Sequence, residues 1–389
     1  AQMDAGSIAL DCAEWVTDSI PGISSTLRMS ELQQGTARDV VALGFGRSPF
    51  PPPSCLVESV CTHASRKEYL PVAGLPELRE ALANWYAERY DVAYATEDVI
   101  IGPGSTQLLF LLMLALRREI TICMVTPAWV TYAPQSMITR HPLEKIPTHA
   151  RDKWLLTPET IRAHFGSTPD KPRLLIVNTP NNPTGAMYSR DQIRVLSDSL
   201  RATNTLLVLD EIYADLTFGS SFASFAQELP ERCIVMSGVS KALAAGGYRL
   251  GYMLLPRQLH HLTSSITSLA SETHSCATSV IQYAYNDVLR HHAASVFEYQ
   301  QHCARILHAL CSHVVGRLRV YGIECVAPCA AWYVLADFAA HRDSLRARGI
   351  ADAAILSATL IKEVGVSILH DEAFQSGEAT FVTRLALVD

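Results

Sequence analysis

Five apolar runs in the middle of the chain each end on a small cluster of polar residues, and that repeated arrangement limits what the chain can fold into. The runs are Val99–Ile101, Ile120–Val125, Leu174–Val177, Leu206–Leu209 and Ile234–Met236. They are followed by Gly102-Pro-Gly-Ser-Thr106, Thr126-Pro-Ala-Trp129, Asn178-Thr-Pro-Asn-Asn-Pro-Thr-Gly185, Asp210-Glu-Ile-Tyr213 and Ser237-Gly-Val-Ser-Lys241. Short continuous apolar runs bounded by Gly and Pro read as strands buried on both faces. In an open parallel sheet, ligands bind beyond the carboxyl ends of such strands. The five clusters are therefore expected in one place, which would hold anion donors, an aromatic ring, an amide, a carboxylate, a phenol and an amine.

With 389 residues, 49% of them hydrophobic and 18% charged, the chain has material for two domains with large cores. A net charge of −6 and the lack of a long basic run argue against a nucleic-acid surface. The ten cysteines show no Cys-x-x-Cys and no metal-type spacing, so no metal site is expected. Reduced, mostly buried thiols fit a reducing compartment. The start, Ala-Gln-Met-Asp, has no signal pattern, and the longest apolar stretch, Leu108–Leu116, is too short to span a bilayer. A cytoplasmic protein without membrane contact is expected.

Asp11 to Gly35 reads as an N-terminal arm with helical patches, and Leu43 to Pro53 as a Gly/Pro-rich passage. A helix over Leu75–Glu88 places Leu78, Leu82 and Trp85 on one face. Strands and helices then alternate to about Tyr252, the pattern of a doubly wound α/β domain. From Leu259 onward helices take over, with Gln282–Val296 and Tyr299–Val315 leading away from that domain. Val320–Val326, Trp332–Phe338, Val366–Leu369 and Phe381–Leu387 read as short strands of a smaller α+β unit. The expected division is a large domain over 41–288, with 1–40 and 289–389 forming the arm and small domain.

Lys241 follows a buried strand and precedes a run of small residues, a setting unlike a solvated surface lysine. Its primary amine can form a Schiff base with an aldehyde cofactor. Arg249 suits a phosphate dianion, or alternatively a structural ion pair. A carboxylate at a buried strand end, Asp210, needs a cationic partner such as a pyridinium nitrogen, unless it caps a helix. Tyr213 and Asn182 can each hydrogen-bond a ring 3-oxygen. Gly104-Ser105-Thr106 precedes an apolar helix, whose free amides favour an anion. Trp129 is either a stacking platform or core. Arg384, inside the apolar Phe381–Leu387 stretch, suits a planar substrate carboxylate. Thr126-Pro127 and Asn182-Pro183 are candidate cis peptide bonds. Taken together these groups fit pyridoxal 5′-phosphate.

The chain resembles the class I/II aminotransferases of the aspartate aminotransferase fold, pyridoxal-phosphate fold type I. The resemblance runs from Ile23-Ser-Ser-Thr-Leu27 to Arg384-Leu-Ala-Leu387 and is carried by the Asn178–Gly185, Asp210–Tyr213, Ser237–Lys241, Tyr248–Tyr252 and Tyr69–Arg79 motifs. It implies a three-layer, doubly wound, mostly parallel sheet with a smaller α+β domain. It also implies that Lys241 carries the cofactor and shuttles the proton. Asp210 would pair with the pyridine nitrogen, Asn182 and Tyr213 would hold the 3-oxygen, and Trp129 would stack on the ring. Gly104, Ser105, Thr106, Ser240 and Arg249 would surround the phosphate, with Ser237 or Ser240 standing for a serine that relatives place at residue 238. Tyr69 would reach over from a second subunit of a homodimer with shared active sites. Arg384, with Gly46 and Asn182, would bind the substrate α-carboxylate. Two departures fall near the substrate in this family. Gly46-Arg-Ser-Pro-Phe50 replaces Gly-Glu-Pro-Asp-Phe, and His370-Asp-Glu-Ala-Phe374 replaces Pro-Gly-Ser-Ala-Phe.

The resemblance implies an amino-acid aminotransferase with an amino acid and a 2-oxo acid as substrates. Two rivals use the same framework. A lyase or cyclase acting by β- or γ-elimination or replacement shares the carbanion but not its fate. A non-catalytic aminotransferase-like binding module would be expected to lose Lys241, Asp210 or Arg249, and all three are present.

Overall fold

The computed structural model describes residues 40–374 and 380–388. The N-terminal arm and the Ile23–Leu27 motif lie outside the described residues. Among the described residues twelve strands are formed, in chain order β1 (Val41–Ala42), β2 (Val99–Gly102), β3 (Thr121–Thr126), β4 (Leu143–Pro147), β5 (Arg173–Asn178), β6 (Thr205–Asp210), β7 (Cys233–Gly238), β8 (Gly251–Leu254), β9 (Tyr333–Asp337), β10 (Val366–Ser367), β11 (Leu369–His370) and β12 (Val382–Ala386).

Seven of them form one sheet in the order β2-β8-β7-β6-β5-β3-β4. Every pairing is parallel except those of β8, which runs antiparallel to both β2 and β7. The five anticipated strands thus point the same way. Their side chains alternate between two cores, as a period of two requires. Leu175, Val177, Leu207, Leu209, Cys233 and Val235 enter one core. Leu174, Ile176, Val208, Ile234 and Met236 enter the other.

Helices cover both faces. Pro76–Tyr90, Arg190–Arg201 and Ser279–His291 pack on the first core, and Ser105–Ala115 and His260–Thr273 on the second. The result is a three-layer α/β architecture. Local sequence accounts for these helices. Pro76 opens the first and Glu77 lies in its first turn, where the dipole favours an acid. Ser189 and Gln192 form a capping box on Arg190–Arg201. Its Ile193, Leu196 and Leu200 are buried, each stabilising by roughly 1.5–3 kcal/mol.

The C-terminal portion holds an antiparallel sheet, β11-β12-β9, and a parallel pair, β1-β10. The long helix Ala293–Val320 joins the two regions. Its Leu307 and Cys303 pack with Tyr213 and Trp332, while Cys311 and Val315 pack with Val334 and Ala336. One anticipated strand is absent. Val320 ends the long helix, and Tyr321 and Ile323 donate back to Leu318 O, closing it. Only Glu324 then makes an isolated bridge, to Asp337. Val366–Leu369 divides into β10 and the start of β11, which pair with different strands.

Candidate active site

The carboxyl ends of β2, β3, β5, β6 and β7 open on a cavity of about 530 Å³. Asp210 is the last residue of β6 and is buried. A turn follows it instead of a helix, so its carboxylate is not a cap. One carboxylate oxygen accepts from the Tyr132 hydroxyl at 2.6 Å, the other from the Ile212 amide at 3.3 Å. Burial raises the Asp210 pKa, and the Tyr132 hydrogen bond and the Lys241 charge oppose that rise. A buried carboxylate so placed is completed by a cation in the cavity.

Lys241 lies just beyond β7, with Nζ donating to Gly46 O at 2.9 Å. Its ammonium is 5.9 Å from the ring centroids of both Tyr213 and Trp332. The Tyr213 and Tyr333 hydroxyls are hydrogen-bonded at 2.8 Å. Asn182 is fixed through its backbone N–H, which donates to Asn178 Oδ1 at 2.7 Å. Asn178 in turn donates to Asp210 O, tying the ends of β5 and β6 together.

Arg384, on β12, is buried against the rings of Tyr333 and Phe374, each at 4.9 Å. It donates to Asn182 Oδ1 at 3.0 Å and to Gly44 O at 2.6 Å, and its Nε has no hydrogen-bond partner. Burial pushes its pKa down. Among the described residues no carboxylate pairs with it, although a buried charge without a counter-charge is costly. The site is thereby built to receive a planar anion.

A second anion position lies at the start of the helix Ser105–Ala115. Gly104 there has φ +103°, and a Cβ on it would sit 2.5 Å from Arg249 Nη2. Arg249 donates to Gly246 O at 2.8 Å and Pro103 O at 3.2 Å, again with no carboxylate partner. Ser105, Thr106 and Ser240 line the same corner. Free helix amides, hydroxyls and a guanidinium beside a glycine hollow are a donor set for a phosphate dianion. Trp129 lines the cavity between the two ends and meets Tyr132 edge-on at 5.4 Å. The donor set fits pyridoxal phosphate from phosphate to ring nitrogen.

Of the residues singled out in the sequence, Gly46, Gly104, Ser105, Thr106, Trp129, Asn182, Asp210, Tyr213, Ser240, Lys241, Arg249 and Arg384 all line this cavity. Ser237 does not; it is buried, and its hydroxyl lies 3.5 Å from Glu211 O. Tyr69 is 89% exposed and also lies outside the cavity of its own chain. In the segment His370–Phe374 it is the preceding Leu369 that reaches the cavity wall. Tyr132 and Tyr333 contribute without having been anticipated, and Asn178 was expected there only as part of its cluster. Only Asn178 had a legible signal, as the first polar residue after its apolar run. The peptide bonds before Pro127 and Pro183 are cis, as is that before Pro180.

Residues 38–386 match the family model described as aminotransferase class I and II. The aspartate aminotransferase of Bacillus subtilis is 25% identical over 94% of this chain and 93% of its own length. A probable aspartate/prephenate aminotransferase of Rhizobium leguminosarum is 29% identical over 91% and 90%. Among solved structures, a double mutant of Thermus thermophilus aspartate aminotransferase superposes with a TM-score of 0.83 at 25% identity, covering 98% of this chain and 94% of its own. The Thermus enzyme solved with maleate gives 0.83 at 26% identity over 95% and 92%. Among the described residues no helix is long and apolar enough to cross a membrane.

Proposed function

The chain belongs to the aminotransferase class I and II family and is an amino-acid aminotransferase, and from that premise we propose that it uses pyridoxal phosphate and takes a dicarboxylic amino acid as donor. The observation that carries the cofactor reading is the cavity itself, lined by the Lys241 amine, the Asp210 carboxylate and two arginines, Arg249 and Arg384, that pair with no acid among the described residues. When bound, pyridoxal phosphate supplies an aldehyde that accepts the amino group and a ring that stores the electron pair left at the substrate α-carbon.

The rest of the chemistry is assigned to the chain. Arg384 grips the α-carboxylate through its planar fork, with Asn182 and the Gly44 carbonyl fixing its plane. Nζ of Lys241, released from Gly46 O, would take the α-proton as the neutral amine and give a proton back as the ammonium. Asp210, held by Tyr132, would supply a negative charge to the ring nitrogen. Ser105, Thr106, Ser240 and Arg249 would hold the phosphate, and Tyr213 the ring oxygen. Asp210 and Arg384 orient the reactants so that only one α-substituent faces Lys241.

The donor class rests on Arg47. It lines the cavity, is exposed, and its side chain makes no hydrogen bond or ion pair among the described residues. A distal carboxylate is the group it would take, and maleate, in the solved Thermus relative, is a dicarboxylate. We assign Tyr69 to the neighbouring site of a homodimer. Sedimentation showing only monomer at assay concentration would remove that assignment.

Lys241→Ala should retain its far-ultraviolet spectrum while losing turnover and the visible absorbance of the cofactor-loaded protein; normal turnover would exclude Lys241 as the proton carrier. Arg47→Ala should raise KM for aspartate or glutamate about tenfold, or ~1.4 kcal/mol, and leave KM for alanine unchanged. An equal change for both donors would remove the distal-carboxylate role.

A further inference from the structure

A second cavity, of about 610 Å³, shares no lining residue with the first. It lies between the end of the helix Pro76–Tyr90, the loop Ala214–Phe222 and the first half of the helix Ala293–Val320. Its volume is that of a small-molecule site.

Aromatic side chains share its walls with hydroxyl and amide groups. Phe218 stacks on His308 with ring centroids 5.1 Å apart and planes 14° from parallel. Phe222 meets Tyr90 edge-on at 5.5 Å. Phe297 lies over the Arg89 guanidinium at 5.3 Å. The polar groups leave an excess of positive charge. Arg89 pairs with Asp215 at 2.7 Å, so these two charges cancel. Gln300 donates to the second Asp215 oxygen at 3.2 Å, while its own buried Oε1 has no partner. Arg305, at the exposed edge, makes no ion pair or side-chain hydrogen bond among the described residues, and His308 adjoins it one helical turn on. Aromatic side chains set among hydroxyls and amides, with a guanidinium at the mouth that has no partner among the described residues, suit a flat body that carries an acid.

The loop that floors this cavity also shapes the active site. Asp215 is two residues beyond Tyr213. Phe218 N donates to Cys329 O at 2.8 Å, and Ala331 N to Leu216 O at 3.0 Å. Tyr333, two residues after Ala331, lines the active site and hydrogen-bonds Tyr213. A ligand packed on Phe218 therefore bears on the segment 329–333 and on both tyrosines.

We propose that this second cavity is a regulatory site for a small aromatic carboxylate, coupled to the active site through the Leu216–Phe218 loop and the Tyr213–Tyr333 pair. Coupling of this kind is reciprocal, so the ligand and the amino donor alter each other's affinity by the same factor.

3-Phenylpropanoate has neither an amino nor an oxo group and cannot be turned over, which makes it the ligand to test. Titrated calorimetrically into the cofactor-loaded enzyme, it should bind saturably. Arg305→Glu and Phe297→Ala, both at exposed positions, should each weaken binding about tenfold and leave kcat/KM measured without the ligand within about twofold. Arg384→Lys should leave binding intact. In steady state the ligand should change kcat, or change KM in a pattern that is not competitive with the amino donor. The proposal is overturned by the absence of saturable binding, by binding that follows Arg384 and ignores Arg305 and Phe297, or by purely competitive inhibition.

Discussion

Arg384 is a buried cation whose hydrogen-bond partners are neutral oxygens. Such a residue costs folding energy in the absence of an anion, and an apolar replacement of similar volume is often neutral or stabilising. Arg384→Met should therefore keep or raise the melting temperature while raising KM for every α-amino acid by about a hundredfold or more. A large drop in melting temperature would mean that the arginine is there for the fold. Tyr132 presents the opposite case. Its hydroxyl bonds the charged form of Asp210 and so holds that carboxyl's pKa down against burial. If activity needs ionised Asp210, Tyr132→Phe should move the acidic limb of the pH–rate profile to higher pH, and an unmoved limb would dissociate the pair. Lys241, Asp210 and Arg384 were legible in the sequence because each is a charge that interrupts or ends an apolar run. Tyr132 and Tyr333 were not. A tyrosine in an apolar segment looks the same whether its hydroxyl is in the core or in a cavity, and both of these are almost fully buried.

At the scale of elements, the five strands were readable because both faces of each are covered, which removes the polar alternation. The edge strand β4 was not, since Leu-Glu-Lys-Ile-Pro has no continuous apolar run. The antiparallel direction of β8 was hidden as well, because its apolar residues carry no sign of orientation. The packing supplies it: a Cβ on Gly251 would lie 2.3 Å from Ser105 N, so the start of β8 abuts the start of the helix Ser105–Ala115. That turn is where the phosphate donors gather. Gly104→Ala would force an alanine into φ +103° and push its methyl onto Arg249, a strain of ~1–3 kcal/mol. Cofactor dissociation should accelerate about tenfold or more, with the helical content unchanged; an unchanged dissociation rate would move the phosphate elsewhere. The strand assignment over Val320–Val326 failed for a related reason. The apolar spacing there is shared by the tail of a long helix, and Leu318 O, which accepts the hydrogen bonds that close the helix, precedes that stretch.

For the whole molecule, the fully buried Glu211 ties three separate segments together, accepting from Tyr86 on the helix Pro76–Tyr90 and from Ser224 in the loop beyond β6. Burial pushes its carboxyl up to about 8 from an ordinary 4.5. The folded state therefore holds a proton that the unfolded chain releases, and this contribution to stability is complete below about 4.5 and is lost as pH rises through about 8. Between pH 6 and pH 9 the wild type should lose on the order of a few kcal/mol that Glu211→Gln keeps. Parallel denaturation curves for the two proteins would contradict this. The division we propose, 41–288 against the remainder, is crossed at its first residues, since Val41–Ala42 pairs with β10 of the remainder, and at its other edge by the helix Ala293–Val320. It packs first beside Tyr213 and then on the three-stranded sheet. The reversed direction of β8 has one more effect. Gly238 at the end of β7 is paired with Gly251 at the start of β8, so residues 239–250 form a single closed link that carries both Lys241 and Arg249. The amine and the guanidinium are set by one span of chain whose two feet are pinned side by side. Lengthening that span by even one residue would put the two grips we propose for the vitamin out of step, whatever became of the rest of the scaffold.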